Sequence, residues 1–170
     1  MIPISILIAA ATPALATDPL EPARSGAVQC HEPNDLHKTC SAIASYRPTG
    51  DGSYMSSAEI IVSQEGPVIL SVDSPVIVKN GAVCGFIRQL DLAAGRVTVN
   101  GEMLSVEDGA PYLAELSKTM GRSFNKEICT RYSETSEGVL GKTKINGVYV
   151  PAADTPIRWM SPAEGYRVAP

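Results

Sequence analysis

Four cysteines, at positions 30, 40, 84 and 129, constrain the fold of this 170-residue chain more than any other feature. No Cys-x-x-Cys pair is present, so their spacing carries no redox motif. Four cysteines admit three pairings. The expected pairs are Cys30–Cys40, closing a short segment in which Pro33, Asn34 and Asp35 bend readily, and Cys84–Cys129, joining two distant strand regions. In the chain-entropy view each bridge contributes on the order of 2–4 kcal/mol.

Disulfides need an oxidising compartment, and the start of the chain points to one. Ile2 to Ala11 is an apolar run leading into Ala14-Leu15-Ala16, a small-x-small triplet of the kind signal peptidase cuts after. Residues 1–16 are therefore expected to be a cleaved signal peptide, and the mature protein to be periplasmic or secreted. No Lys or Arg precedes the apolar run, and the first charge is Asp18; a start codon upstream of Met1 would supply the missing cation. The run is broken by Pro3 and Pro13 and falls short of the ~20 apolar residues that span a bilayer, so no stable membrane insertion is expected after cleavage. Residues 17–29, with Pro19, Pro22 and Gly26 and no periodicity, read as a flexible N-terminal arm. Residues 30–170 then form one β-rich domain.

Turn residues punctuate that domain. Fourteen Gly and thirteen Pro separate short β-branched runs: 41–47, 58–63, 68–72, 76–78, 128–132, 140–150 and 157–160. Gly66-Pro67 and Ser74-Pro75 read as strand breaks. Asn100-Gly101 within 96–104 predicts a hairpin with a type I′ turn, and Asn80-Gly81 and Asn146-Gly147 have the same chemistry. One helix is expected over about 106–120. Ser105 or Asp108 would cap its start, Pro111 would sit in its first turn, Leu113, Leu116 and Met120 would form one stripe, and Gly121 would cap its end. A shorter helical turn is expected at 90–94. Cys84 and Cys129 are followed, 16 and 17 residues on, by Asn-Gly, which suggests two weakly related β-units at about 76–104 and 122–150; the frequency of Asn-Gly in hairpins is the competing explanation. The expected fold class is α+β and β-rich: an antiparallel sheet of about 6–8 short strands, open, its face buried by one covering helix, and stapled by two disulfides.

Composition removes several functions. The net charge is −4 and the Lys and Arg are scattered, so no basic stripe exists to neutralise nucleic-acid phosphates. No Gly-x-Gly-x-x-Gly, P-loop, Gly-x-Ser-x-Gly or His-Glu-x-x-His is present, and neither catalytic nor cofactor-binding residues are assigned. Cys30, His31, His37 and Cys40 offer four zinc donors within eleven residues. Oxidation of the thiols and divergence of the adjacent Cys30 and His31 side chains favour a disulfide loop instead, so no metal site is assigned. Glu107 and Asp108 read as helix-start acids, Glu134 and Glu137 as solvated turn acids, and Trp159 as a core residue; Tyr132, Tyr149 and Tyr166 are candidates for a groove.

The expected function is a non-catalytic binding or accessory role in the cell envelope, with a protein or peptide partner. Two alternatives accompany it. One is a secreted enzyme inhibitor acting through the 30–40 loop, the other a hydrolase whose pocket would hold Glu134, Glu137 or Tyr132.

Overall fold

The computed structural model describes residues 18–50 and 52–170, so the signal-peptide expectation lies outside the described residues. The strands are β1 (Val28–His31), β2 (Thr39–Cys40), β3 (Ala42–Gly50), β4 (Ser53–Ser63), β5 (Val68–Lys79), β6 (Ala82–Phe86), β7 (Arg96–Val99), β8 (Glu102–Met103), β9 (Glu127–Thr135), β10 (Gly138–Ile145), β11 (Val148–Tyr149), β12 (Thr155–Met160) and β13 (Arg167–Val168). The helices are α1 (Glu21–Arg24), α2 (Gln89–Ala93) and α3 (Val106–Met120).

The protein is β-rich with one main helix, as expected, but its sheet is not open. Strands β1, β3, β4, β5, β6, β9, β10 and β12 pair antiparallel with their neighbours in chain order, and β12 returns to β1, closing an eight-stranded up-and-down barrel. The pairs β3–β4, β4–β5, β5–β6 and β9–β10 are joined by short turns of the kind read from turn residues, whereas β6 and β9 pair across the insert that carries α2, β7, β8 and α3. The closing pair, Val28↔Met160 to His31↔Ile157, joins the two ends of the domain and has no local signature. Closure removes sheet edges that would otherwise template aggregation. The extra strands are short: β7 and β8 form a hairpin on β5, β11 pairs with β10, and β2 and β13 make a small parallel pair.

Turn chemistry behaves as the residues dictate. Asn80-Gly81, Asn100-Gly101 and Asn146-Gly147 all carry two consecutive positive φ values, 50° and 84° in the second case, as a type I′ turn requires. Pro75 does not break β5. The strand meets β7 through Val68–Ser71 and β6 through Val76–Lys79, and Pro75 falls in the gap between those partners, where a missing N–H is tolerated.

Helix α3 starts from Ser105, whose Oγ accepts from the Asp108 N–H at 3.1 Å. Pro111 therefore lies in the second turn rather than the first. Gly121 follows in right-handed conformation and leads into a 3-10 turn instead of a left-handed cap. The helix does not cover a broad sheet face. It sits at one end of the barrel, its buried Gly109 against Val97 of β7, with α2 beside it.

The expected flexible arm is also corrected from residue 18 onward. Asp18 accepts hydrogen bonds from the Leu20 N–H, the Tyr54 hydroxyl and Arg24, which folds α1 over the barrel end opposite α3. Leu20 and Tyr54 are essentially fully buried there with Val83, and Tyr46, Tyr132 and Trp159 pack around them. No local periodicity announces this plug, because a single leucine inserted into a barrel end has none.

Both expected disulfides are present. Cys84 and Cys129 face each other across the β6–β9 ladder, and Cys30–Cys40 holds β2 against the outside of β1 with Met160 beneath. Leu20→Ala is expected to destabilise the protein by about 2–5 kcal/mol in urea unfolding, the range for a buried leucine. A change near zero would return residues 18–24 to a dispensable arm.

Candidate functional site

Alternation along the strands decides what faces the barrel interior. In β1, Gln29 and His31 point inward and Cys30 points out to its disulfide. Pairing carries that alternation round the wall. It places Ala44 and Tyr46 of β3, Ser56 and Ala58 of β4, Val72, Ser74 and Val76 of β5, Gly85 of β6, and Thr130 and Tyr132 of β9 on the inner side. Many of these residues are small. They leave a cavity of about 380 Å³, within the range of small-molecule sites. Eight strands enclose an interior that is either filled by side chains or holds one small ligand. Here Ile60, Val72, Val76, Ile128 and Thr130 remain only partly buried although they face inward.

The two ends of the interior differ. Leu20 plugs one. At the other, Phe86 is half exposed at the rim, and Leu92 and Met120 bring α2 and the end of α3 over the opening. Asp91 of α2 is buried at this mouth. Arg88 grips it through Nε at 2.8 Å and Nη2 at 2.5 Å, and the Ser74 hydroxyl donates to it at 2.9 Å. A buried carboxylate is thus paired and hydrogen-bonded, which its burial requires, and α2 is tied to β5.

The polar cluster lies on the wall near Leu20. Gln29 is fully buried, and its Oε1 accepts from the Tyr46 hydroxyl at 3.0 Å, the Tyr132 hydroxyl at 3.2 Å and His31 Nε2 at 3.1 Å. Its Nε2 has no hydrogen-bond partner. Burial raises both tyrosine hydroxyls, Tyr46 well above the ordinary value, so they stay protonated and donate. Burial pushes the His31 imidazole down, and nearby Glu32 only partly opposes this, so the ring is neutral at pH 7. Away from the Arg88–Asp91 pair at the mouth, the polar groups of this cluster are neutral donors and acceptors set in an apolar wall. Such a cluster is chemically suited to an uncharged molecule.

Of the residues singled out from the sequence, Tyr132 and His31 reach this cavity. Glu134 and Glu137 are exposed and outside its lining. Tyr149 bonds Asp154 at the surface, and Tyr166 stacks under Arg158 outside the barrel, where Asp35 pairs with the same guanidinium at 2.6 Å. Trp159 packs in the plugged end, 6.0 Å from the Tyr46 ring. The zinc alternative does not assemble: Cys30 and Cys40 are bonded to each other, His31 faces the opposite side of β1 from Cys30, and His37 is in the exposed loop. That loop is pinned through Asp35 and Lys38 and carries Leu36, 85% exposed, at its tip. Gln29, Tyr46, Ser74, Arg88 and Asp91 were not anticipated. Only the Gln-x-His pattern just ahead of a strand–turn series hinted that polar side chains would share an inward face.

A larger depression of about 530 Å³ lies outside, between β4, β5 and α2. Its walls carry Glu59, Asp73 and Arg96, and it contains none of the unpartnered buried atoms found among the described residues. An outer depression of about 990 Å³ is lined by Arg158, whose guanidinium is already engaged by Asp35 and Tyr166. The interior is the better site because Gln29, whose amide nitrogen is unpartnered, belongs to its wall.

The His31 environment has a pH consequence. Its pKa is lowered on folding, so below about pH 6.5, the ordinary value, the unfolded chain binds a proton that the folded one refuses. Stability should fall as pH drops through that window, and His31→Gln should flatten this part of the slope in urea titrations from pH 7.5 to 5.5. Parallel slopes in the two proteins would place His31 in solvent.

The chain matches no protein-family model, and no curated protein or solved structure is significantly similar to it.

Proposed function

We propose that the protein binds and carries a small, mainly apolar molecule inside its barrel, in a periplasmic or extracellular setting. The observation that carries this reading is the hollow, inward-facing wall with a polar cluster at one end and an opening under α2 and α3 at the other. The two disulfides fit an oxidising compartment. They also brace the outside of the barrel, so that little ordering is left to be done when a ligand enters. No helix among the described residues is long and apolar enough to cross a membrane.

The binding role expected from the sequence is kept, but with a small molecule in place of a peptide. Closure leaves only short outer strands, such as Glu102–Met103 and Val148–Tyr149, for an extended peptide to pair with. Of the residues named for the hydrolase alternative, Tyr132 lines the cavity while Glu134 and Glu137 do not, so that reading keeps its tyrosine but neither of its carboxylates there.

The uncharged dye N-phenyl-1-naphthylamine should bind with saturable fluorescence at one dye per chain. Ala58→Phe, which fills the inner wall of β4, should reduce that binding at least about tenfold, as loss of roughly 1.4 kcal/mol does, while near-ultraviolet circular dichroism stays native. Dye binding unchanged in a folded Ala58→Phe protein would place the site elsewhere.

A further inference from the structure

Closure buries Gln29 in the wall, yet its amide is only half used. Its carbonyl oxygen is saturated by three donors, the two tyrosine hydroxyls and the imidazole. The amide nitrogen carries two N–H bonds and meets no acceptor. Buried donors are paired as a rule, with protein, water or ligand. The other unpartnered buried atom among the described residues, Arg158 Nε, belongs to a guanidinium on the outside of the barrel that already serves Asp35 and Tyr166. Gln29 belongs to the cavity wall, so among the described residues its Nε2 is the unpartnered buried donor carried by a lining side chain.

Charge narrows the ligand further. Arg88 is the one Lys or Arg side chain lining the cavity, and its Nε and Nη2 are both committed to Asp91. A carboxylate or phosphate placed against Gln29 would be buried with no free counter-charge, which is strongly unfavourable. A cation there would face N–H bonds. A neutral oxygen acceptor meets neither penalty, and the rest of the molecule would lie along Val72, Val76 and Ile128.

Resting on the barrel interior being a binding site, we infer that its ligand is an uncharged, mainly apolar molecule bearing an acceptor oxygen, a ketone, ester or amide carbonyl, that takes a hydrogen bond from Gln29 Nε2.

The test is displacement of N-phenyl-1-naphthylamine from the intact, disulfide-bonded protein by three matched probes: 1-tetralone, tetralin and 1,2,3,4-tetrahydro-1-naphthoate. Tetralone should displace the dye at a concentration roughly five- to a hundred-fold lower than tetralin, the span expected for one hydrogen bond to an otherwise unpaired buried donor. The carboxylate should be weaker than tetralone. Gln29→Met should abolish the preference of tetralone over tetralin. The wild-type series decides by itself where that variant does not fold. Equal displacement by tetralone and tetralin would overturn the role of Gln29 while leaving the barrel as a binding site. Displacement strongest with the carboxylate would overturn the neutral class. No dye binding to the wild-type protein would overturn the carrier reading and this inference with it.

Discussion

The four-residue ladder between β1 and β12 sets which side of the barrel every functional side chain occupies. It closes the sheet, and in doing so places Gln29 and His31 inside with Cys30 between them outside. A slip of one residue would reverse all three. Two things hold the register. Cys30 is bonded to Cys40 over Met160 on the outer face, and Trp159, opposite Gln29, packs inward with Tyr46. A short strand of mixed polarity is thereby held in one register by neighbours on both faces.

The same closure explains why an unfilled interior is tolerable. Ala44, Ser56, Ala58 and Gly85 line the wall, and a side chain at Gly85 would come within 3.0 Å of Val76. Apolar surface left facing a cavity forfeits about 25 cal/mol per Å² of burial. The Leu20 plug, the Arg88–Asp91–Ser74 knot and two disulfides act at the ends and outside of the barrel, away from that space. The chain stabilises its periphery and keeps its centre open. Occupation of the centre would add stability by mass action.

Much of this architecture was legible locally. Asn-Gly turns, the Ser105 start of α3, its Leu113–Leu116–Met120 stripe and the short Cys30–Cys40 loop follow from the preferences of neighbouring residues, and Cys84–Cys129 then follows as the remaining pair. What was not legible depends on contacts between distant parts of the chain. An antiparallel meander reads the same whether its ends meet or not, so the pairing of residues 28–31 with 157–160 left an open sheet equally consistent. Pro75 looked like a break because its tolerance comes from a change of partner along β5. Leu20 looked like part of an arm because its burial needs the barrel mouth. Gln29 carried no motif at all; its meaning arises from Tyr46 and Tyr132, 17 and 103 residues away, converging on one oxygen.

The most direct measurement is an isotope-edited NMR experiment on the Gln29 side-chain amide with a bound apolar ketone. Nuclear Overhauser contacts from the Gln29 Nε2 protons to the ketone, and from the ketone to Val72 and Ile128 methyls, are the predicted result. Contacts confined to the exposed Leu90, Met103 and Val106 side chains would contradict it and place binding on the outer surface of the helical end.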